Sequence, residues 1–344
     1  MFIFYDKIRT NVYLRFFVRF LFVFITVVFL DLIVGWLLRK FYFRQESGLE
    51  YRTTYSIEGT KADLLIFGSS TANHNYDPSI FQRRLNMSAY NVGRDGISVF
   101  YDFAILQCVL KRYRPKIIIL DFDEEEFKKD DQSYDRLSCL LPYYKDHPEI
   151  RSIVDMRGPY ERYKLLSHIY PYNSLLFTIY AGNAEFNKKR RGDINGYIPI
   201  NDIWRDPMKS DTGFLHSKID LNKVRIYEDF IKECIQANVQ LYIICPPLFV
   251  KPDYVNNSVV LGEEIANKYN VKFLDYSKDT SILCNPRLFA DISHLNSQGA
   301  TVFSHKTVDQ ILASRNARND GQTSVTKTVL ENATFAQRNK STGE

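Results

Sequence analysis

Five short apolar runs, separated by stretches of helical periodicity, set the strongest limit on how this chain of 344 residues can fold. The apolar runs are Asp63–Phe67, Ala89–Val92, Lys116–Leu120, Val239–Cys245 and Val271–Leu274. The helical patterns cover Pro78–Leu85, Val99–Arg112, Lys223–Ala237, Gly262–Tyr269 and Ser297–Ser314. Strands that are apolar on both faces are typical of parallel sheets with helical crossovers. We therefore predict an α/β domain over residues 62–314, with a flavodoxin-like, doubly wound parallel sheet of five strands.

A long apolar segment lies near the N-terminus. The segment Phe20–Leu38 contains one charged residue, Asp31, and its length suits a hydrocarbon core about 30 Å thick. We predict one transmembrane helix that stays attached, because Arg39 and Lys40 follow it where a cleaved signal peptide would have small residues. A carboxylate at a helix centre costs on the order of 2.5–3.5 kcal/mol. Asp31 is therefore expected either to face another helix, such as that of a partner membrane protein, or to lie near the outer interface.

The flanks of this segment predict how the chain is organised. Basic residues are slightly more numerous before the helix than after it, which favours a cytoplasmic N-terminus (1–19) and an extracytoplasmic domain in a single-pass protein. Residues 39–61 are expected to form a polar linker. Residues 315–344 are rich in Asn, Thr, Ser, Lys and Gln, and we predict a disordered tail there.

One long stretch interrupts the alternation of strands and helices. Residues 126–220 are rich in Tyr, Arg and Asp and show no strand of the core sheet, which predicts a lid inserted between the third and fourth strands.

The net charge of the chain is +5, and its basic residues alternate with acidic ones, so nucleic-acid binding has little support. The five cysteines lack metal-ligand spacing and are expected to be buried free thiols, with a Cys139–Cys284 disulfide left open. We predict no metal and no cofactor.

Two polar motifs occur at the ends of predicted elements. Gly68-Ser69-Ser70 follows the first strand, and Asp291-Ile292-Ser293-His294 precedes the last helix. A serine hydroxyl is a poor nucleophile unless a base accepts its proton, and the imidazole of that base needs a carboxylate to orient it. Ser70, His294 and Asp291 would supply these three roles. Taken alone, a Gly-Ser-Ser sequence after a strand is also compatible with an ordinary turn and helix cap.

The two motifs resemble those of the SGNH/GDSL hydrolase family, in which Gly-x-Ser follows the first strand and Asp-x-x-His precedes the last helix. The resemblance covers Ala62–Leu312, interrupted by the insertion. It implies that Ser70 is the nucleophile and that the backbone N–H groups of Ser70 and Gly93 donate to the oxyanion. Where the family commonly has Gly-x-Asn-Asp after the third strand, this chain has Asp121-Phe122-Asp123-Glu124. Asp123 is thus a candidate for oxyanion or substrate contact, although an ionised carboxylate cannot donate.

A Gly-Ser-Ser motif without the asparagine after the third strand resembles the membrane-tethered branch of the family. That branch acts on cell-envelope polymers or assists acyl transfer to them, often beside membrane-bound acyltransferases. This implies an esterase or O-acyltransferase of extracytoplasmic carbohydrate, with an acyltransferase as a candidate partner. Two alternatives remain. One is a catalytically weak or inactive accessory protein that binds a polymer or an acyltransferase; the other is an unrelated flavodoxin-like domain in which the motifs coincide. The acidic run Asp121–Glu126 is expected to be a solvated strand end rather than a cation site.

Overall fold

The predicted parallel sheet is present in the computed structural model, which describes residues 11–184, 192–205, 218–249 and 256–316. Its strands are β1 Leu64–Phe67, β2 Ala89–Asn91, β3 Ile117–Asp121, β4 Gln240–Cys245 and β5 Lys272–Asp275. They lie in the order β2-β1-β3-β4-β5, and every neighbouring pair is parallel. Phe67 pairs with Leu120, and Leu120 pairs with Ile243, so the central strands end at one shared edge. In such sheets the loops at this edge form the functional site.

Helices connect and flank the strands, and five of them lie where the periodicity predicts helices. They are α1 Val12–Phe43, α2 Gly48–Thr54, α3 Ser70–Asn75, α4 Pro78–Leu85, α5 Val99–Arg112, α6 Leu176–Asn183, α7 Leu221–Gln236, α8 Asn257–Lys268 and α9 over residues 297–316. Short turns at Thr280–Leu283 and Pro286–Leu288 follow β5. Helices α7 and α8 begin earlier than predicted, because the side chains of Asp220 and Asn256 cap their first N–H groups.

The sheet separates two apolar cores. Leu65 and Phe67 lie in the core that contains α5 and α7, whereas Leu64 and Ile66 lie in the core that contains α4 and α9. Successive side chains of a strand point to opposite faces. Both faces of β1 are therefore buried, which accounts for its unbroken apolar sequence.

The insertion leaves and rejoins the domain at one narrow point. Lys129 N–H donates to the Lys218 carbonyl, and Asp220 N–H donates to the Phe127 carbonyl, each at 2.7 Å. Its short helical segments before α6 are Gln132–Asp135, Arg136–Tyr143, Pro148–Ile150, Arg151–Val154, Asp155–Arg157, Glu161–Lys164 and Tyr170–Leu175. In its described part the insertion adds no strand to the sheet. Leu140 packs in the same core as α5, so this half of the insertion forms a side wall of the domain.

The segment predicted to be a polar linker is instead helical and largely buried. It forms α2 and a π-helical turn over Tyr55–Gly59, and the side chains of Glu50 and Arg52 are buried. Glu50 accepts a hydrogen bond from Tyr42 Oη at 2.9 Å and pairs with Arg94 at 3.1 Å. These polar residues thus have partners inside the domain, and the segment joins α1 to the sheet through buried contacts.

Helix α1 contains the whole predicted apolar segment, and it is long and apolar enough to cross a membrane. Asp31 does not need a partner protein, since its carboxylate accepts hydrogen bonds from the insertion of the same chain. The donors are Ser167 Oγ at 2.5 Å, His168 N–H at 2.7 Å and Ile169 N–H at 3.3 Å.

The remaining sequence predictions concern the cysteines and the two termini. All five cysteines are free thiols; four are buried and Cys284 is exposed. Arg315 and Asn316 belong to α9, so the prediction of a disordered tail is wrong for these two residues; residues 317–344, like the first ten residues, lie outside the described residues.

Candidate active site

The turn after β1 presents Ser70 at the carboxyl edge of the sheet. Gly68 has φ +134°, and a Cβ there would lie 2.7 Å from Asp121 Cβ, so only glycine fits. The Gly68 N–H donates to Asp102 Oδ1 at 3.0 Å, and its carbonyl accepts from Arg94 N–H at 3.1 Å. The chain then turns directly into α3, whose first residue is Ser70.

The structure brings Ser70, His294 and Asp291 together in hydrogen-bonding order. His294 Nε2 lies 2.8 Å from Ser70 Oγ, and His294 Nδ1 lies 2.8 Å from Asp291 Oδ2. The backbone N–H groups of Ser293 and His294 also donate to Asp291 Oδ1, each at 2.8 Å. Leu295 N–H donates to Asn75 Oδ1 at 2.8 Å, which attaches this loop to α3. This arrangement can pass a proton from the serine hydroxyl to the imidazole.

The carboxylate of Asp291 is held in its charged form. Burial alone would raise the pKa of Asp291, but the hydrogen bond and charge of His294 and the two backbone donors lower that pKa below its usual value. An ionised Asp291 keeps the proton of neutral His294 on Nδ1. His294 Nε2 is then free to accept the Ser70 proton.

Gly93 lies next to α3, but its N–H is already engaged. It donates to Asn91 Oδ1 at 2.9 Å. A Cβ at Gly93 would lie 2.9 Å from Ala72 Cβ, so the glycine allows β2 and α3 to approach closely. The predicted oxyanion role of Gly93 therefore requires that Asn91 release this N–H. The N–H of Ser70 stands at the first position of α3, where a helix offers no internal acceptor.

Asp123 lines the same cleft as Ser70. The cleft has a volume of about 310 Å³ and polar walls, which carry the acidic residues Asp123, Glu125, Glu126 and Asp130 and the basic residues Lys128, Arg136 and Lys223. Asp123 Oδ1 accepts a hydrogen bond from Glu125 N–H at 2.8 Å. Burial raises the pKa of Asp123, and the hydrogen bond from Glu125 N–H and the charges of Lys223 and His294 only partly oppose this.

In the acidic run after β3, Asp121, Glu124 and Glu126 are buried whereas Asp123 and Glu125 are partly exposed, so the prediction of a solvated strand end is wrong for the three buried residues. Tyr76 Oη donates to Asp121 Oδ1 at 2.6 Å, and Thr71 Oγ1 donates to Asp121 Oδ2. Glu126 Oε1 accepts from Val99 N–H, at the start of α5, at 2.7 Å. Burial raises the pKa of Asp121 and that of Glu126, each to about 7. Hydrogen-bond donors from α3, from the loop after it and from α5 reduce the free-energy cost of burying these two carboxyl groups.

Replacing Glu126 with glutamine is expected to weaken the pH dependence of stability. The unfolded Glu126 carboxyl loses its proton near 4.5, but the folded one keeps it to about pH 7. The free energy of unfolding therefore falls as pH rises through that interval. Glutamine keeps an acceptor for Val99 N–H and does not ionise. Thermal unfolding in detergent at about pH 5 and about pH 8 should show a smaller loss for Glu126→Gln than for wild type; equal losses would contradict the assignment.

His74 belongs to the site, although its sequence context gave it no special weight. Its ring meets the His294 ring edge to face, with centroids 5.3 Å apart. His74 Nδ1 lies 2.7 Å from the Ile198 carbonyl, and Nε2 lies 3.3 Å from Asp95 Oδ1. Burial would lower the pKa of His74, but these two partners raise it. His74 lies four residues after Ser70, about one helical turn, and this spacing is the sequence signal that could have placed it beside the site.

A second cluster carries metal-ligand side chains. Single ligand atoms of Cys108, His147 and Glu149 lie within 4.8 Å of one another. Both His147 nitrogens already contact carboxylates, those of Glu58 and Glu149. Burial raises the pKa of Cys108, which favours the thiol over the thiolate that binds metals. The contacts are those of a satisfied internal histidine.

The sequence matches no known family model, and it matches no curated protein.

Proposed function

We propose that this protein is a serine esterase or O-acyltransferase of the SGNH/GDSL type, which works through an acyl-Ser70 intermediate. The observation that carries the proposal is the continuous chain of hydrogen bonds from Ser70 Oγ through His294 to Asp291, with links of 2.8 Å. Three side chains from two distant parts of the sequence meet in the order that nucleophilic catalysis requires. The parallel sheet supports the same assignment, because both motifs lie at its carboxyl edge.

The proposed reaction has two halves. Ser70 Oγ attacks the ester carbonyl carbon while its proton moves to His294 Nε2. The tetrahedral intermediate collapses, the bond to the alcohol breaks, and His294 returns the proton to the leaving alkoxide. Water or a sugar hydroxyl then attacks the acyl carbon and gives its proton to His294; the bond between the acyl carbon and Ser70 Oγ breaks, and His294 returns the proton to Ser70 Oγ. Asp291 stabilises the charged imidazole in both halves.

The substrate class follows from the cleft beside Ser70. Its walls carry both charges as well as the neutral polar side chains Gln132 and Ser133, which suit a ligand rich in hydroxyl groups rather than a lipid chain. We infer a carbohydrate or a cell-envelope polymer. Helix α1 would hold the protein in the membrane as a single span, with the domain on the extracytoplasmic side. A membrane-bound acyltransferase would be a fitting partner for a transferase at that location.

Asp123 is the expected weak point of the oxyanion site. A neutral carboxyl can donate a hydrogen bond, whereas the ionised form repels the oxyanion. Asp123→Asn supplies an amide donor of the same size at every pH. We expect this variant to raise kcat by about 10-fold or more, since one donor is typically worth about 10² to 10³. Asp123→Ala is the matched control and should not raise kcat; an Asp123→Asn enzyme no faster than wild type would exclude an oxyanion role.

A catalytically quiet accessory protein is the second candidate. It is favoured by the bond between Gly93 N–H and Asn91 Oδ1, which leaves one expected oxyanion donor occupied. Such a protein would keep the fold to bind a polymer or an acyltransferase. Reactivity of Ser70 distinguishes the two candidates.

The test is covalent labelling by a fluorophosphonate probe, which reacts with activated serines. It requires the full chain in detergent, because Tyr42 of α1 bonds to Glu50 and Tyr143, and a fragment that begins at Gln45 would lose this contact. We expect labelling of wild type and of Ser69→Ala, and none of Ser70→Ala. A folded wild-type protein that is not labelled would favour the accessory role.

A further inference from the structure

The insertion contacts α1 within the apolar segment. Ser167, His168 and Ile169 bond to Asp31, and a Cβ at Gly35 would lie 2.3 Å from His168 Cβ. The absence of a side chain at Gly35 thus allows the insertion to lie directly against the helix. Helix α6 continues this contact, since Asn183 Nδ2 donates to the Phe41 carbonyl at 2.8 Å.

At the level of this contact α1 still presents apolar side chains on its other sides. Ile33, Trp36 and Leu37 are exposed there, as are nearly all residues from Val12 to Leu30. A helix that is apolar all round is stable either inside a protein core or in lipid. If lipid surrounds Ile33 and Trp36, the part of the insertion beside Gly35 lies at a similar depth.

The insertion carries its own exposed apolar side chains close to this contact. They form what we call the Phe177 surface, which consists of Leu166, Leu176, Phe177 and Tyr180. Phe177 is 80% exposed, Leu166 75% and Tyr180 73%, while Ile179 is the buried residue of α6. Helix α6 has no charged residue. Side chains of this kind, gathered next to a membrane-spanning helix, are unfavourable in water and favourable in a bilayer.

Amphipathic side chains precede Leu166 of the Phe177 surface in the sequence, and others lie on α1. Tyr160 and Tyr163 are exposed on the segment that leads to Leu166, and Lys164 lies between them and that leucine. On α1, Lys40 lies 5.4 Å from the Trp36 ring. Tyr, Trp and Lys are the residues that proteins place at the boundary between acyl chains and headgroups.

We propose that the Phe177 surface is immersed in the lipid bilayer, at the boundary between headgroups and acyl chains, in the leaflet on the side of the domain. The insertion then acts as a second membrane contact beside α1, and it fixes how the domain stands on the membrane. The proposal rests on the membrane span proposed for α1. Its occupant is lipid rather than a partner protein, because the surface continues the lipid-facing sides of α1.

The test places a nitroxide label at one position at a time in full-length protein reconstituted alone into lipid nanodiscs. The background carries Cys284→Ser, which removes the exposed thiol. Phe177→Cys reports on the proposed surface. Val302→Cys, an exposed apolar position on α9, is the matched control, and Phe24→Cys reports on α1 itself. Collisions with oxygen, which concentrates in acyl chains, are compared with collisions with a water-soluble nickel complex.

We expect the ratio of oxygen to nickel accessibility to be several-fold higher at position 177 than at position 302, and highest at position 24. A label at 177 that is as accessible to nickel as one at 302, with 24 protected, would overturn the proposal and point to a protein occupant missing from the nanodisc. A label at 24 that is also accessible to nickel would instead overturn the membrane span of α1. The two failures are therefore distinguishable.

Discussion

Replacing Ser70 with alanine is expected to lower kcat/KM for p-nitrophenyl acetate by at least about 10³-fold. The variant loses the proposed nucleophile, so His294 and Asp291 have no hydroxyl to activate. Ser70 Oγ has His294 Nε2 as its hydrogen-bond partner, and α3 does not depend on that hydroxyl. Thermal unfolding of the variant should stay close to that of wild type. The measurement is release of p-nitrophenolate by the full chain in detergent.

Ser69→Ala is the matched control for this experiment. Ser69 lines the same cleft, and its hydroxyl lies 3.5 Å from Thr71 Oγ1. It should keep most of the wild-type rate. The double variant Ser70→Ala, His294→Ala should be no slower than Ser70→Ala alone, because residues that act as a unit are not additive. A Ser70→Ala protein as active as wild type would remove the serine mechanism and leave the binding role.

The sheet could be predicted from sequence because each strand is a local signal. Leu64 to Phe67 are apolar without alternation since both faces of β1 are covered, and Gly68 follows because no other residue fits beside Asp121. The grouping of Ser70 with His294 could also be predicted, because the carboxyl ends of parallel strands meet at one edge whatever their separation in sequence.

Buried polar partners that do not lie at this edge of the sheet could not be predicted in this way. The segment that contains Glu50 and Arg52 has the polar composition of a linker. Only the folded structure shows that Glu50 pairs with Arg94 and that Arg52 donates a hydrogen bond to Asn73. Asp31 is a similar case, since its donors lie in the insertion. Sequence patterns report on local periodicity and say little about which buried charges will meet.

The second large predicted effect is a loss of stability, and it concerns the ion pair between Arg94 and Glu50. Arg94→Ala is expected to lower the free energy of unfolding by about 3 to 5 kcal/mol, the usual cost of breaking a buried ion pair on one side. Both side chains are over nine-tenths buried, and Arg94 also donates to Thr53 Oγ1. Its removal leaves the Glu50 carboxylate with Tyr42 Oη as its donor. Thermal unfolding of the full chain in detergent measures the loss.

Adding Glu50→Gln to Arg94→Ala tests the cause of that loss. If the cost comes from an unpaired buried charge, the double variant should be more stable than Arg94→Ala; if it is less stable, the cost lies in lost packing. Arg83→Ala, at an exposed arginine bonded to Ser79, should stay within about 0.5 kcal/mol of wild type. The hydrogen bond from the Arg94 backbone N–H to the Gly68 carbonyl involves no side chain, so none of these substitutions removes either of its groups. We therefore expect the turn that carries Ser70 to be retained, and the proposed esterase rate per folded molecule should fall far less than stability does.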